Sequence, residues 1–196
     1  MLRNAKVPVL GIAAYSGTGK TTLLRSVLPE LRARGLRVGL VKHAHHKFEI
    51  DHPGKDSYRL RKAGANRVLV ASAKLRALVE ETDLAGDPRL DDLLAGLPQD
   101  DLDLILVEGF KHERFPKIEL HRPALGKPLL FPKDPCVIAV ATDAPLPVTC
   151  TLPVLDLNAP GAVSAFILDF RERSLESGAP LAAPYRDSGP FRSSAG

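Results

Sequence analysis

The run Ala14-Tyr15-Ser16-Gly17-Thr18-Gly19-Lys20-Thr21 has the residue types and spacing of a phosphate-binding loop, with Ala in place of the usual first Gly. Gly17 and Gly19 free the backbone to curl, so that successive N–H groups point into one concavity suited to an anion. Lys20 reaches the terminal phosphates, and the Thr21 hydroxyl is a ligand for Mg²⁺. A helix starting there adds its positive end beneath the phosphates. The competing explanation is a chance Gly-rich turn; the Gly spacing of the dinucleotide fingerprint is absent.

Such a loop needs a metal-holding carboxylate on a neighbouring strand, and Glu108, at the carboxyl end of Leu102–Val107, is the best placed. Glu is longer than the Asp of the commonest nucleotide hydrolases and can act through a water. Asp51 and Asp56 lie in and after the loop that follows the second strand, where a carboxylate touches Mg²⁺ or orients a water. Loop solvation for Asp51 and helix capping for Asp56 explain them equally well.

His43, His45, His46 and His52 stand beside Lys42, Lys47 and Lys55. Their spacing matches no common zinc pattern. A zinc site, a solvated basic loop and an anion-recognition loop compete, and the last is favoured, with His43 and His46 near a γ-phosphate, a second phosphorylated ligand or a partner's cofactor. Thr142-Asp143, after an apolar strand, offers a carboxylate able to accept from N1–H and the 2-amino group of guanine. The Asn and Lys of the full guanine motif are missing, and Asp-Ala-Pro is also ordinary turn chemistry.

Strands with helices between them must position these groups. Val7–Ala14 is an almost unbroken apolar run, the pattern of a buried parallel strand. Thr21–Arg34 has Leu23, Leu24, Val27, Leu28 and Leu31 at helical spacing and is stopped by Gly35. Leu36–Val41 completes a right-handed βαβ unit. A helix is expected over Lys55–Gly64, capped by Asp56 or Ser57, and a hairpin over Arg67–Ser72 and Leu75–Thr82. Asp87–Leu97, opened by Pro88 and Asp91, reads as a helix; Lys117–His121, Val137–Ala141 and Leu152–Leu155 read as strands; Ala159–Glu172 reads as the closing helix. The fold class is α/β, a mainly parallel sheet with helices on both faces, over one domain at 1–173. Residues 174–196, rich in Ser, Gly, Pro and Ala, read as a mobile tail.

Composition narrows the function. With 44% hydrophobic and 26% charged residues the chain is an ordinary globular one, and Cys136 and Cys150 are too few to staple it, so a reducing, cytoplasmic setting is expected. No apolar run approaches the roughly 20 residues of a membrane span. The net charge of +4 hides an asymmetry: residues 1–76 hold 16 of the 27 Lys and Arg but only 4 of the 23 Asp and Glu. That basic half suits an anionic ligand. Few aromatics speak against a single-stranded nucleic acid.

Three blocks, GIAAYSGTGKTTLL at 11–24, VKHAHHKFEIDHPGKDSYRLRKAGA at 41–65 and LILVEGFKHERFPKIEL at 104–120, together resemble the molybdopterin-guanine dinucleotide biosynthesis adapter family. The likeness spans about residues 7–170. The resemblance implies a phosphate-loop adapter that binds GTP with Mg²⁺, hydrolyses it weakly, and acts beside the guanylyltransferase that joins GMP to molybdopterin. It also implies a homodimer built partly from the 67–82 hairpin. On this likeness Ser16, Gly17, Thr18, Gly19, Lys20, Thr21 and Thr22 bind the nucleotide phosphates, Glu108 and Gly109 form the metal-side loop, and Lys42–His46 with Asp51–Ser57 line the crevice. The alternative is a small-molecule kinase acting on an anionic substrate.

Overall fold

In chain order the elements are β1 (Val9–Ala13), α1 (Lys20–Ala33), β2 (Val38–Lys42), α2 (Asp56–Lys62), β3 (Arg67–Ala71), β4 (Arg76–Glu80), α3 (Leu90–Gly96), β5 (Leu104–Glu108), β6 (Lys117–His121), a 3-10 turn (Pro123–Leu125), β7 (Val137–Thr142), β8 (Val154–Asp156) and α4 (Pro160–Glu176). They belong to a computed structural model that describes residues 2–44, 51–83 and 86–176. The chain divides into two compact units, one from the stretches up to His43 and from Arg89 onward, the other from Ala44–Pro88.

In the first unit six strands pair in the order β2-β5-β1-β6-β7-β8, every pair parallel. β1, β5 and β7 are buried along their whole length, as apolar runs are in a sheet covered on both faces. Leu10, Ile12, Leu104 and Leu106 pack with Leu23, Val27 and Leu31 of α1 and with Phe166, Ile167 and Phe170 of α4. Val9, Ile105 and Val107 pack with Leu90 and Leu94 of α3 and with Phe110 and Phe115. Helices thus cover both faces. Because every strand is parallel, all the carboxyl ends open on one edge, where α/β sheets bind ligands.

Three boundaries differ from the sequence reading. α3 begins at Leu90, because its first free N–H is satisfied by Glu113 Oε1 at 2.8 Å, while Asp91 instead accepts from the N–H groups of Arg3 and Asn4. α4 runs on to Glu176, with Arg173 paired to Asp169 at 2.9 Å, so residues 174–176, expected in the tail, are helical, and the rest of that expected tail, 177–196, lies outside the described residues. α2 begins at Asp56 with Lys55 as its N-cap and no side-chain cap bond, so neither Asp56 nor Ser57 caps it.

In the second unit, Ser57 Oγ donates to Asp51 Oδ1 at 2.8 Å, and the buried Arg61 reaches Glu81 Oε1 at 2.6 Å and Asp51 Oδ2 at 3.9 Å. β3 and β4 pair antiparallel as expected, Leu69 opposite Leu78. The unfavourable Ala-Lys turn is tolerated because the Ser72 hydroxyl accepts from Leu75 N–H at 3.0 Å while Ser72 N–H donates to Leu75 O at 2.7 Å.

Candidate phosphate and nucleotide site

The phosphate loop leaves β1 and turns into α1. Gly17 and Gly19 take φ of +80° and +102°, in the region where a Cβ costs about 1–2 kcal/mol, which is why Gly occupies them. Among the described non-Gly residues only Phe110 has a positive φ, so Ala14 replaces the usual first Gly without strain. Buried Thr18 donates its hydroxyl to Tyr15 O at 2.8 Å, and the Lys20 ammonium donates to Ala14 O and Tyr15 O, each at 3.2 Å. Lys20 therefore arches back over its own loop, while Ser16, Gly17, Thr21 and Thr22 are exposed. Burial pulls the Lys20 pKa below its usual value; Lys42 and Lys111 push the same way, and Glu108 opposes them. An arriving anion reverses that imbalance.

Glu108 is held at the end of β5, buried, opposite Lys42 in the β2–β5 register and 3.3 Å from its ammonium. The backbone then bends sharply: Gly109 has φ +102° and Phe110 φ +51°. His43 N–H donates to Glu108 O at 2.9 Å, and its ring stacks on Phe110 with centroids 4.6 Å apart. A Cβ on Gly109 would sit 2.7 Å from His43 Cβ, so the bend and the His43 position require each other.

At the other side of β1, Arg122 follows β6 directly. Its Nε donates to Thr18 O at 2.9 Å and its Nη1 to Asp143 Oδ2, so one guanidinium joins the phosphate loop to the turn after β7. Thr142, expected to touch the base, spends its hydroxyl donor on Ala144 O at 2.8 Å, which shapes the turn that presents Asp143.

The structure thus gathers Lys20, Thr21, Glu108, Lys42, His43, Arg122 and Asp143 on the carboxyl edge of one sheet. Asp51 and Asp56 belong to the second unit. Asp51 is buried on Ser57 and Arg61 rather than solvated, and Asp56 is exposed and pairs with Arg59 at 3.6 Å. His46 lies outside the described residues. Among the described residues no three His, Cys, Asp or Glu side chains cluster to hold a metal, so any ion here depends on oxygens beyond the side-chain carboxylates. No helix among them is long and apolar enough to cross a membrane.

Sequence reasoning missed Arg122, Phe110 and Lys111, whose ammonium lies 5.1 Å from the centre of the Tyr15 ring. The signal was present for Arg122: a cation directly after a strand in a parallel sheet stands at the ligand edge.

The model of the family described as "MobB: Molybdopterin guanine dinucleotide synthesis protein B" matches residues 9–143. The molybdopterin-guanine dinucleotide biosynthesis adapter protein of Escherichia coli is 46% identical over 174 residues, covering 88% of this chain and 98% of that one. That of Haemophilus influenzae is 46% identical over 84% of this chain and 89% of its own. Among solved structures, a MobB homologue from Bacillus stearothermophilus superposes with a TM-score of 0.61 at 28% identity, covering 84% of this chain and 97% of that one. Bacillus subtilis MobB does so with 0.64 at 27% identity, covering 83% and 96%. With its phosphate-loop geometry and its parallel sheet, the chain belongs to the MobB family of adapter proteins of molybdopterin-guanine dinucleotide biosynthesis.

Proposed function

We propose that the chain binds GTP with Mg²⁺ on residues 16–22, hydrolyses it slowly, and in the bound state assists the guanylyltransferase that joins GMP to molybdopterin. The observation that carries this reading is the loop itself: two Gly at positive φ, then an ammonium tied to the carbonyls of Ala14 and Tyr15 and crowded by Lys42 and Lys111. A triphosphate supplies the negative charge that this arrangement lacks.

The donor set fits Mg²⁺. The exposed Thr21 hydroxyl and the Glu108 carboxylate are hard oxygen donors, and Mg²⁺ takes only one or two protein ligands beside phosphate and water. When bound, the ion neutralises charge on the phosphate oxygens. The chain's own part is to cradle and to orient. Arg122 fixes the Thr18 carbonyl, and it holds one oxygen of Asp143, leaving Oδ1 for the N1–H and 2-amino donors of guanine. His43 is an anion contact steadied by Phe110. Asp51 is held by Ser57 and Arg61 and Asp56 pairs with Arg59, all within the second unit. Slow turnover follows from a Glu108 paired with Lys42 and an Arg122 tied to a backbone carbonyl instead of to a leaving phosphate.

A second copy of the chain is the partner for the hairpin. Leu69 and Leu78 face each other across the strands at 64% and 61% exposure, with the Arg67–Glu80 ion pair beside them, an apolar patch with a charged rim.

Calorimetry with GTP and ATP on the wild type and on Asp143→Ala tests the reading. GTP binding in the presence of Mg²⁺, with a guanine preference that Asp143→Ala erases, supports it. Equal affinity for GTP and ATP in the wild type removes the role of Asp143, and absence of nucleotide binding removes the whole proposal. The kinase reading has one observation in its favour, a cavity beside Tyr15. It requires transfer of the terminal phosphate to an organic acceptor, which phosphate-transfer assays detect directly.

A further inference from the structure

A cavity of about 590 Å³ opens beside the phosphate loop. Tyr15 of the loop forms one wall, residues 111–114 after β5 a second, and residues 128–135 between β6 and β7 a third. All belong to the first unit.

The walls are fixed from behind. Glu113 Oε1 accepts from Leu90 N–H at 2.8 Å, which ties the 111–114 segment to α3. Buried Glu119 of β6 accepts from Leu130 N–H at 2.7 Å and Phe131 N–H at 2.8 Å, pinning the opposite segment. Asp134 accepts from Cys136 N–H at 2.9 Å and pairs with the fully buried Lys117 at 3.1 Å. Both carboxylates of the lining, Glu113 and Asp134, are therefore engaged within the walls.

The cations are not. Arg114 and Lys133 are exposed, and among the described residues neither side chain enters an ion pair or a hydrogen bond. Lys111 adds a third positive charge and lies over the Tyr15 ring. Pro128, Leu129, Leu130 and Pro135 give the rest of the lining an apolar character. Fixed walls, an uncompensated positive rim and an apolar floor are the chemistry of a site for a small organic anion.

We propose that this cavity is a second ligand site, for a small organic phosphate with a flat apolar body, filled at the same time as the phosphate loop. Arg114 and Lys133 take the phosphate, and the Leu130 wall with Tyr15 takes the body. The site deepens the GTP-adapter reading and rests on it for simultaneous filling: Tyr15 and Lys111 are common to both sites, so occupancy of one is felt at the other.

Flavin mononucleotide, a flat heterocycle carrying a phosphate monoester, is the probe. Its fluorescence is titrated with full-length protein saturated with a non-hydrolysable GTP analogue and Mg²⁺. Saturable binding is expected, weakened about tenfold or more in Arg114→Glu/Lys133→Glu and for riboflavin, which lacks the phosphate. Analogue affinity should be unchanged in that double variant, which also shows that it folds. Lys20→Met should lose the analogue and keep the probe, so failure of the GTP reading and failure of this one look different. Three results overturn the proposal: no saturable probe binding, binding indifferent to the double variant, or probe displaced stoichiometrically by the analogue.

Discussion

Gly109→Ala separates two reasons for a glycine. Gly109 and Gly35 both hold positive φ, +102° and +85°, and both lie in the first unit. A Cβ on Gly35, just past the end of α1, meets nothing within 4 Å; one on Gly109 meets His43 Cβ at 2.7 Å and His43 Cα at 3.6 Å. Gly35→Ala should therefore lose only the backbone preference, about 1–2 kcal/mol. Gly109→Ala loses that and adds overpacking against an atom fixed to the backbone just after β2, about 1–3 kcal/mol more, for a sum of about 2–5 kcal/mol. Urea unfolding of the two variants gives both numbers, and the difference between them is the His43 contact. On the proposed GTP reading the contact also bears on binding, because relief of the clash moves His43 off Phe110 and off the Glu108 carbonyl. GTP affinity in the presence of Mg²⁺ should fall in Gly109→Ala and stay at the wild-type level in Gly35→Ala. Equal destabilisation of the two variants, with nucleotide affinity untouched in both, would refute the reasoning.

Lys20→Met should abolish nucleotide binding, read by calorimetry, with apo stability at pH 7 changed by less than about 1 kcal/mol, because two lost hydrogen bonds offset a relieved charge. The sign with pH follows from a lowered Lys20 pKa: the penalty on the folded ammonium is complete below the folded pKa and fades as pH rises through it toward 10.5, so wild type gains on the variant in alkali. Glu119→Gln leaves one acceptor where Leu130 and Phe131 both need one, a cost of about 1–3 kcal/mol in thermal or urea unfolding. Burial raises the Glu119 pKa against its two N–H donors, so the penalty of the folded carboxylate develops as pH rises past 4.5 and the gap to the Gln variant narrows in that direction. Leu78→Asp places a charge in the centre of the proposed dimer patch. Sedimentation should show a monomer whose nucleotide affinity equals that of the wild type, and an unchanged assembly state rejects the hairpin as the interface.

The parts of the fold governed by local pattern were legible. Val9–Ala13 and residues 104–107 and 137–141 carry apolar residues or Gly at every position, the usual pattern of a strand covered on both faces. The phosphate loop was legible for the same reason, since positive φ at Gly17 and Gly19 writes itself into the sequence as Gly. β6 was harder. Lys117, Glu119 and His121 alternate with apolar residues as on a half-exposed strand, yet all three are buried, because the 113–135 region supplies a carbonyl, a carboxylate and two N–H groups to Lys117 and Glu119. Long-range partners of that kind leave no periodicity. Asp91 and Glu113 show the same limit, as helix α3 is capped from 23 residues away.

The sheet order explains what the single residues do not. β6 lies between β1 and β7, so the chain leaving β6 emerges between the phosphate loop and the Asp143 turn. A residue at that point needs two donors held at a fixed angle to serve both neighbours, and a guanidinium has that form where an ammonium does not. Arg122 meets Thr18 O with Nε and Asp143 with Nη1, and its Nη2 lies 3.7 Å from where a Cβ of Gly19 would be. Loop shape and carboxylate position are therefore properties of one side chain. A change that draws Asp143 away also loosens the tether on the Thr18 carbonyl, and through it the N–H groups of the loop. If the chain binds GTP as proposed, such coupling lets one part of the ligand report on the other without a separate moving element.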